Sequence, residues 1–156
     1  VIFVFESFLP VLPWFRPGFG NVATILALMF FGFSDALKVT VLRVFLGALV
    51  LGRLFTPVFV FAFAGGIASV VVMALAMRYT GRLFGPVGIS ILGALAHNIV
   101  QVGIAWLLFV RSGELFMFLP VFSAAAVATG MLTGLVSAVV YHKSEKRLGF
   151  ESFETT

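Results

Sequence analysis

Long apolar runs broken by short clusters of glycine, proline and charge dominate this chain. The opening run, Val1–Leu9, stops at Pro10 and is too short to cross a bilayer. It begins on Val1 rather than Met, with no basic segment before it and no small-residue cleavage site after it. It therefore reads as a first helix entered partway, not as a signal peptide. Pro10, Pro13, Arg16, Pro17, Gly18 and Gly20 follow, with Trp14, Phe15 and Phe19 among them, and predict an interfacial loop. A second apolar segment, Gly20–Phe33, is ended by Gly32, with Ser34 or Asp35 placed to cap the next helix. It is short for a full crossing, which suits a tilted helix or one buried among its neighbours.

Four longer segments come next. The third helix is expected over Asp35–Leu51, with a tight exit at Gly52–Pro57. The fourth runs over Pro57–Met77, with Pro57 tolerated in its first turn. A polar turn, Arg78–Arg82, precedes the fifth, over Pro86–Val110, and Arg111–Glu114 closes it. The sixth extends over Leu115–Tyr141, with Pro120 marking a kink or a late start. Because the hydrocarbon core demands roughly 20 apolar residues per helix, the pattern predicts an all-α integral membrane bundle of about six transmembrane helices. That bundle occupies residues 1–142, and residues 143–156 form a polar cytoplasmic tail.

Composition sharpens this reading. Of the 156 residues, 62% are hydrophobic and 10% charged, and the mean hydropathy is +1.19, outside the range of a soluble domain. The net charge of +4 would suggest nucleic acid in a polar protein, but here the basic residues sit at the ends of apolar runs and act as topology signals. Alternating the loops puts Lys38, Arg78, Arg82, Lys143, Lys146 and Arg147 on one face and Arg16, Arg53 and Arg111 on the other. The richer face is expected to be cytoplasmic, which makes this a multi-pass protein of the cell (cytoplasmic) membrane with its C-terminus in the cytoplasm.

The chain contains no cysteine, which removes disulfides, thiolate nucleophiles and cysteine-ligated metals. No phosphate-binding G-x-x-x-x-G-K-[ST] loop, His-Glu-x-x-His pair or G-x-S-x-G turn is present. Prenyl-diphosphate chemistry usually needs several aspartates to hold magnesium, and only Asp35 is available. His97 and His142 are too far apart to form a local metal motif. Autonomous catalysis is not expected, no cofactor or metal is called for, and ATP-driven work would have to come from another subunit.

The informative residues are those a bilayer should exclude. Glu6 lies near the first helix end, Arg43 lies mid-helix, and His97, Asn98 and Gln101 lie together in the fifth helix. An ionisable group at membrane depth costs several kcal/mol unless it is paired or faces water, so each is a candidate site residue. Arg43 is too deep for easy snorkelling and needs an anion, with Glu6 one internal candidate. It either joins a buried ion pair that sets helix register or binds an anionic or carbonyl-bearing substrate. His97 and Gln101 are four apart on one face, with Asn98 beside them, and Gly93 one turn earlier leaves room for a ligand or a neighbouring backbone. The three are expected to form one polar patch, although interhelical hydrogen bonding would explain any one of them alone.

Asn21 and Thr24 either cap the short second helix or face the same cavity. Trp14, Phe15 and Phe19 form an aromatic gate over that cavity or anchor the chain at the membrane interface. In the last helix Ala126, Gly130, Gly134 and Ala138 make a small-residue stripe that either packs inside the bundle or docks on a partner's helix.

Several segments resemble a known family: Gly32-Phe33-Ser34-Asp35-Ala36-Leu37 with Leu42-Arg43, Ala64-Gly65-Gly66, and above all Gly93-Ala94-Leu95-Ala96-His97-Asn98-Ile99-Val100-Gln101. They look like the Gx transporter family, also labelled heptaprenyl diphosphate synthase component I, which is similar to the substrate-binding S components of energy-coupling factor transporters. The likeness runs from about Glu6 to Tyr141. It implies a six-helix S-component fold, with a small, partly apolar ligand bound near the outer face under the Pro10–Gly20 loop. It also implies a membrane T component and two ATPase subunits as partners, in a lipid setting without nucleic acid. Two further functions stay open: an accessory membrane subunit of polyprenyl diphosphate synthesis, and a structural scaffold that packs a larger complex.

Overall fold

The computed structural model describes residues 20–80, 84–108, 113, 117 and 119–148. Those residues form five α-helices: α1 (Gly20–Phe31), α2 (Phe33–Val50), α3 (Pro57–Thr80), α4 (Pro86–Leu108) and α5 (Leu119–Leu148). There is no strand among the described residues. The helices correspond to the second through sixth apolar segments of the sequence; Val1–Leu9 lies outside the described residues.

The ends of the helices follow local chemistry. Gly32, at φ 88°, is the single residue between α1 and α2. Its N–H closes α1 on the Leu28 carbonyl at 3.2 Å, and its carbonyl accepts the Ala36 N–H at 3.1 Å to open α2. The N-cap position of α2 is therefore Gly32, without a side-chain cap. Neither Ser34 nor Asp35 caps it, contrary to expectation, because the glycine lets the helix restart two residues earlier. Asp35 sits in the first turn instead and binds Lys38 at 2.8 Å on the surface.

The end of α2 is a Schellman motif, with Gly52 at φ 62°. The Gly52 N–H donates to the Leu49 carbonyl at 3.1 Å and the Arg53 N–H to the Ala48 carbonyl at 2.8 Å. Thr56 then accepts the first amides of α3 and Pro57 occupies the first helical position, as proposed from the sequence. Between these two devices Phe55 takes φ 62°, a left-handed conformation that a bulky side chain rarely adopts. Pro120 lies in the first turn of α5, so it marks a late start and not a kink. That helix also continues past Tyr141 to Leu148.

Each helix packs against the next in sequence, and α1 returns to touch α5. A ring contact between Phe30 and Tyr141, with centroids 5.1 Å apart, joins the last turn of α1 to α5. Chain direction thus gathers Lys38, Arg78 and Lys143 at one end of the bundle and leaves Arg53 at the other.

Around a buried apolar core that includes Ile25, Leu28, Val70 and Met73, the surface is unlike that of a soluble bundle. Leu42, Phe45, Leu46 and Leu49 of α2, and Leu132, Leu135 and Val139 of α5, are exposed, while Thr24, Thr40, Ser69, Ser90, Thr133 and Ser137 are buried. Side chains that prefer hydrocarbon cover the outside, and small hydroxyls that can hydrogen-bond line the seams, as expected for helices packed in lipid. Three helices are long and apolar enough to cross a membrane: Pro57–Tyr79, Pro86–Leu108 and Leu119–Ser144. The expected six crossings are not met by the described residues. At 12 residues, α1 is only about 18 Å long, and α2 carries Asp35, Lys38 and Arg43 within its 18 residues.

Backbones approach closely where α4 meets α5. A methyl group placed on Gly134 would lie 2.5 Å from the Val87 α-carbon, and one on Gly130 would lie 2.7 Å from the Ile91 α-carbon. In both cases backbone meets backbone. Ser90 and Thr133 hydroxyls, 2.6 Å apart, share a hydrogen bond in the same seam.

Replacing Gly134 by Leu should therefore lower stability in detergent by at least about 1–3 kcal/mol, because no flexible side chain is there to move aside. Leu135→Ala, on the lipid-facing side, should change it by less than about 0.5 kcal/mol. Thermal unfolding curves that show equal losses for the two would contradict this packing.

Candidate functional site

The candidate polar residues occupy the middle of the bundle but not a single face. Thr40 and Val44, which bracket Arg43 on α2, both reach Gly66 of α3: a methyl on that glycine would lie 3.0 Å from Thr40 Cγ2 and 3.8 Å from Val44 Cγ2. On its other side, the neighbouring Gly65 is met by His97 of α4. A methyl there would lie 2.8 Å from His97 Nδ1 and 2.9 Å from Cε1. The Gly65-Gly66 pair is thus a notch in α3 that admits the imidazole from one flank and α2 from the other. It brings Arg43 and His97 to the same depth in the bundle. Arg43 Nε and His97 Nδ1 are buried, and both residues take part in interactions within the protein.

His97 and Asn98 diverge. Asn98 Nδ2 donates to the Phe122 carbonyl of α5 at 2.8 Å, whereas the His97 ring lies against α3. Successive helix residues point about 100° apart, so adjacent positions on α4 serve two different interfaces, and the expected single patch is divided. Gln101, part-buried, lies one turn beyond His97 on the same face. Nor does Gly93 leave open space: a methyl on it would lie 2.6 Å from Met73 Cγ and 2.9 Å from Ser69 Oγ of α3. Ser69 Oγ itself is buried, with no hydrogen-bond partner among the described residues.

On α1, Asn21 lies in the first turn and is part-buried. The hydroxyls of Thr24 and Thr40 lie 3.0 Å apart in a buried hydrogen bond between α1 and α2. Glu6, Trp14, Phe15 and Phe19 lie outside the described residues. In the small-residue stripe, Ala126, Gly130 and Gly134 are buried and Ala138 part-buried. Both glycines are covered by α4, so the chain itself occupies the surface on which a partner helix would dock through them.

Sequence reasoning missed the hydroxyl pairs Thr24–Thr40 and Ser90–Thr133. The signal available was a hydroxyl at helical spacing inside each apolar run. It also missed the notch, although Gly65-Gly66 is the one adjacent glycine pair inside a predicted span.

Among the described residues, no group of three metal-binding side chains comes together. Two cavities lie away from the polar level. One, between α2 and α3 beside Arg53 and Phe59, has a volume of about 10 Å³, room for no more than one water. The other, about 460 Å³, opens between Leu28 and Phe33 on one side and Val71, Leu75 and Arg78 on the other.

The geometry is that of a membrane bundle with charged and amide groups at mid-depth. A family model described as heptaprenyl diphosphate synthase component I matches residues 1–140. The chain belongs to this family. No curated protein and no solved structure matches it. The component I match spans α1 to α4 and most of α5, so both flanks of the notch, with Arg43 and His97, lie within the region that defines the family.

The contact at Gly65 can be measured directly. Gly65→Ala should cost about 1–3 kcal/mol, and most of that cost should vanish when His97 is also changed to Ala, since the ring is what the new methyl meets. A double-mutant cycle on unfolding free energies checks this; additive losses would show that the ring does not lie against Gly65.

Proposed function

We propose that this component I family member is the membrane-embedded, substrate-binding subunit of a multi-subunit importer of the energy-coupling factor type. Its substrate is a small, partly apolar molecule, bound with Arg43, His97 and Gln101 as polar contacts and Glu6 and Asn21 nearby, while Asn98 holds α4 to α5 behind them. The reading is supported by one arrangement: His97 lies against Gly65, and Thr40 and Val44, the α2 neighbours of the partly buried Arg43, lie against Gly66, in a bundle whose outer surface is largely apolar. Ionisable groups within such a bundle are characteristic of binding and transport pathways.

In this reading α2, α1 and the first apolar segment complete a six-helix bundle, and the Trp14–Phe19 loop gates the site from outside. The basic end, with Lys38, Arg78 and Lys143, faces the cytoplasm. A T component and two ATPase subunits supply the energy. The chain performs no chemistry itself, in keeping with a sequence that holds one aspartate and no cysteine.

A second reading is favoured by the family description: an accessory membrane subunit that presents lipid substrate to a soluble prenyl-diphosphate synthase. The two differ in what they require of Arg43 and His97.

Mass spectrometry of small molecules that co-purify with the protein in detergent should identify a ligand, and Arg43→Ala and His97→Ala should each weaken its retention at least roughly tenfold, as expected for losing a charge-assisted contact. Unchanged retention in both variants would remove the site. Prenyl transfer by a soluble synthase should proceed at the same rate with and without this chain; acceleration by the wild type would favour the accessory reading instead.

A further inference from the structure

The larger cavity plays no part in the reading above. It is a groove at the basic end of the bundle, between the α1–α2 junction and the last turns of α3. Its walls are apolar: Leu28, Phe33, Val71, Leu75 and Met77. Two small residues keep it hollow. Ala74 lies in its lining, and at Gly32 an added methyl would meet nothing within 4 Å. The volume of about 460 Å³ falls within the range of small-molecule sites, about 300–1,000 Å³.

Arg78 is the one charged residue in this lining. It stands in the last turn of α3 and makes no ion pair or hydrogen bond among the described residues. Lys38, at the same end of the bundle, is by contrast bound to Asp35 at 2.8 Å. The apolar span ends at Tyr79, which is 76% exposed and suits the headgroup layer. Arg78 therefore stands at the end of an apolar span and lines an apolar trough, the position at which a basic side chain meets headgroups when such a span crosses a bilayer.

We propose that this groove is a binding site for an anionic phospholipid, with an acyl chain between α1 and α3 and the phosphate on Arg78. The charge and the trough select this occupant together. Free phosphate would leave the apolar walls unused, and a zwitterionic headgroup brings its own cation to compete with the guanidinium. Basic pockets between membrane helices are known to hold acidic headgroups in this way. The proposal does not depend on the import reading, since it involves neither Arg43 nor His97.

The test uses the full chain reconstituted in phosphatidylcholine vesicles containing a minor fraction of phosphatidylglycerol, then solubilised for native mass spectrometry. Phosphatidylglycerol should be retained in excess of its share of the bilayer. Arg78→Gln should reduce that retention roughly fivefold, the equivalent of about 1 kcal/mol for one basic residue near a membrane surface. Arg78→Lys should largely preserve it, Ala74→Phe should abolish it by filling the trough, and Lys38→Gln should leave it unchanged. The proposal is overturned if wild-type protein retains the two lipids in proportion to the bilayer. It is equally overturned if Arg78→Gln, with a wild-type melting temperature, retains phosphatidylglycerol as wild type does.

Discussion

Helices in hydrocarbon gain nothing from burying apolar side chains against one another, because the lipid is as apolar as they are. Close approach of backbones is what remains, and this fold depends on it. The centre is α4. Gly130 and Gly134 of α5 rest on its main chain at Ile91 and Val87, Met73 and Ser69 of α3 fill the space at Gly93, and its own His97 rests on Gly65 of α3. The glycines lie where a Cβ would collide, so the register of α3, α4 and α5 follows from where side chains are missing.

The same constraint explains the apolar surface and the buried hydroxyls. Leucine, valine and phenylalanine lose nothing by facing lipid, whereas a hydroxyl facing lipid has no partner. Several threonines and serines therefore turn inward and bond across seams, as Thr24 does with Thr40 and Ser90 with Thr133, or back to their own helix, as Ser137 does to the Thr133 carbonyl at 2.7 Å. Such bonds contribute modestly, about 0.6 kcal/mol on average in membrane proteins, but they fix rotation about each helix axis. Once α4 is fixed in rotation, His97 must face α3 and Asn98 must face α5. Arg43 comes to the level of His97 because Thr40 and Val44 are both held against Gly66.

Much of the architecture was legible in the chain itself. The apolar runs marked the first four described helices to within a few residues, since Gly32, Gly52 and Pro57 act on the backbone of their own immediate neighbours, while α5 starts four residues later and ends seven residues later than its run suggested. Their errors share a cause. Ser34 and Asp35 are good capping residues, yet Gly32, which can adopt a positive φ, already serves as the joint, and α2 begins before either of them. Likewise, an apolar run marks a helix without marking a span: α1 is too short, and α2 carries its three charges inside the run, whereas those of α5 fall at its end.

Residue chemistry and periodicity, which are local, determined the class, the helical elements and the identity of the polar residues that do not belong in lipid. Which neighbour each of those residues meets was decided only in three dimensions. His97, Asn98 and Gln101 are consecutive or one turn apart and read as one cluster, but a helix distributes adjacent positions to different sides, and only the packing of α3 and α5 around α4 separates them. The Ala126–Ala138 stripe shows the same limit. Small residues announce that some helix will come close, and whether it is a partner or α4 depends on contacts 43 residues apart in sequence, as between Ser90 and Thr133, that no local pattern encodes.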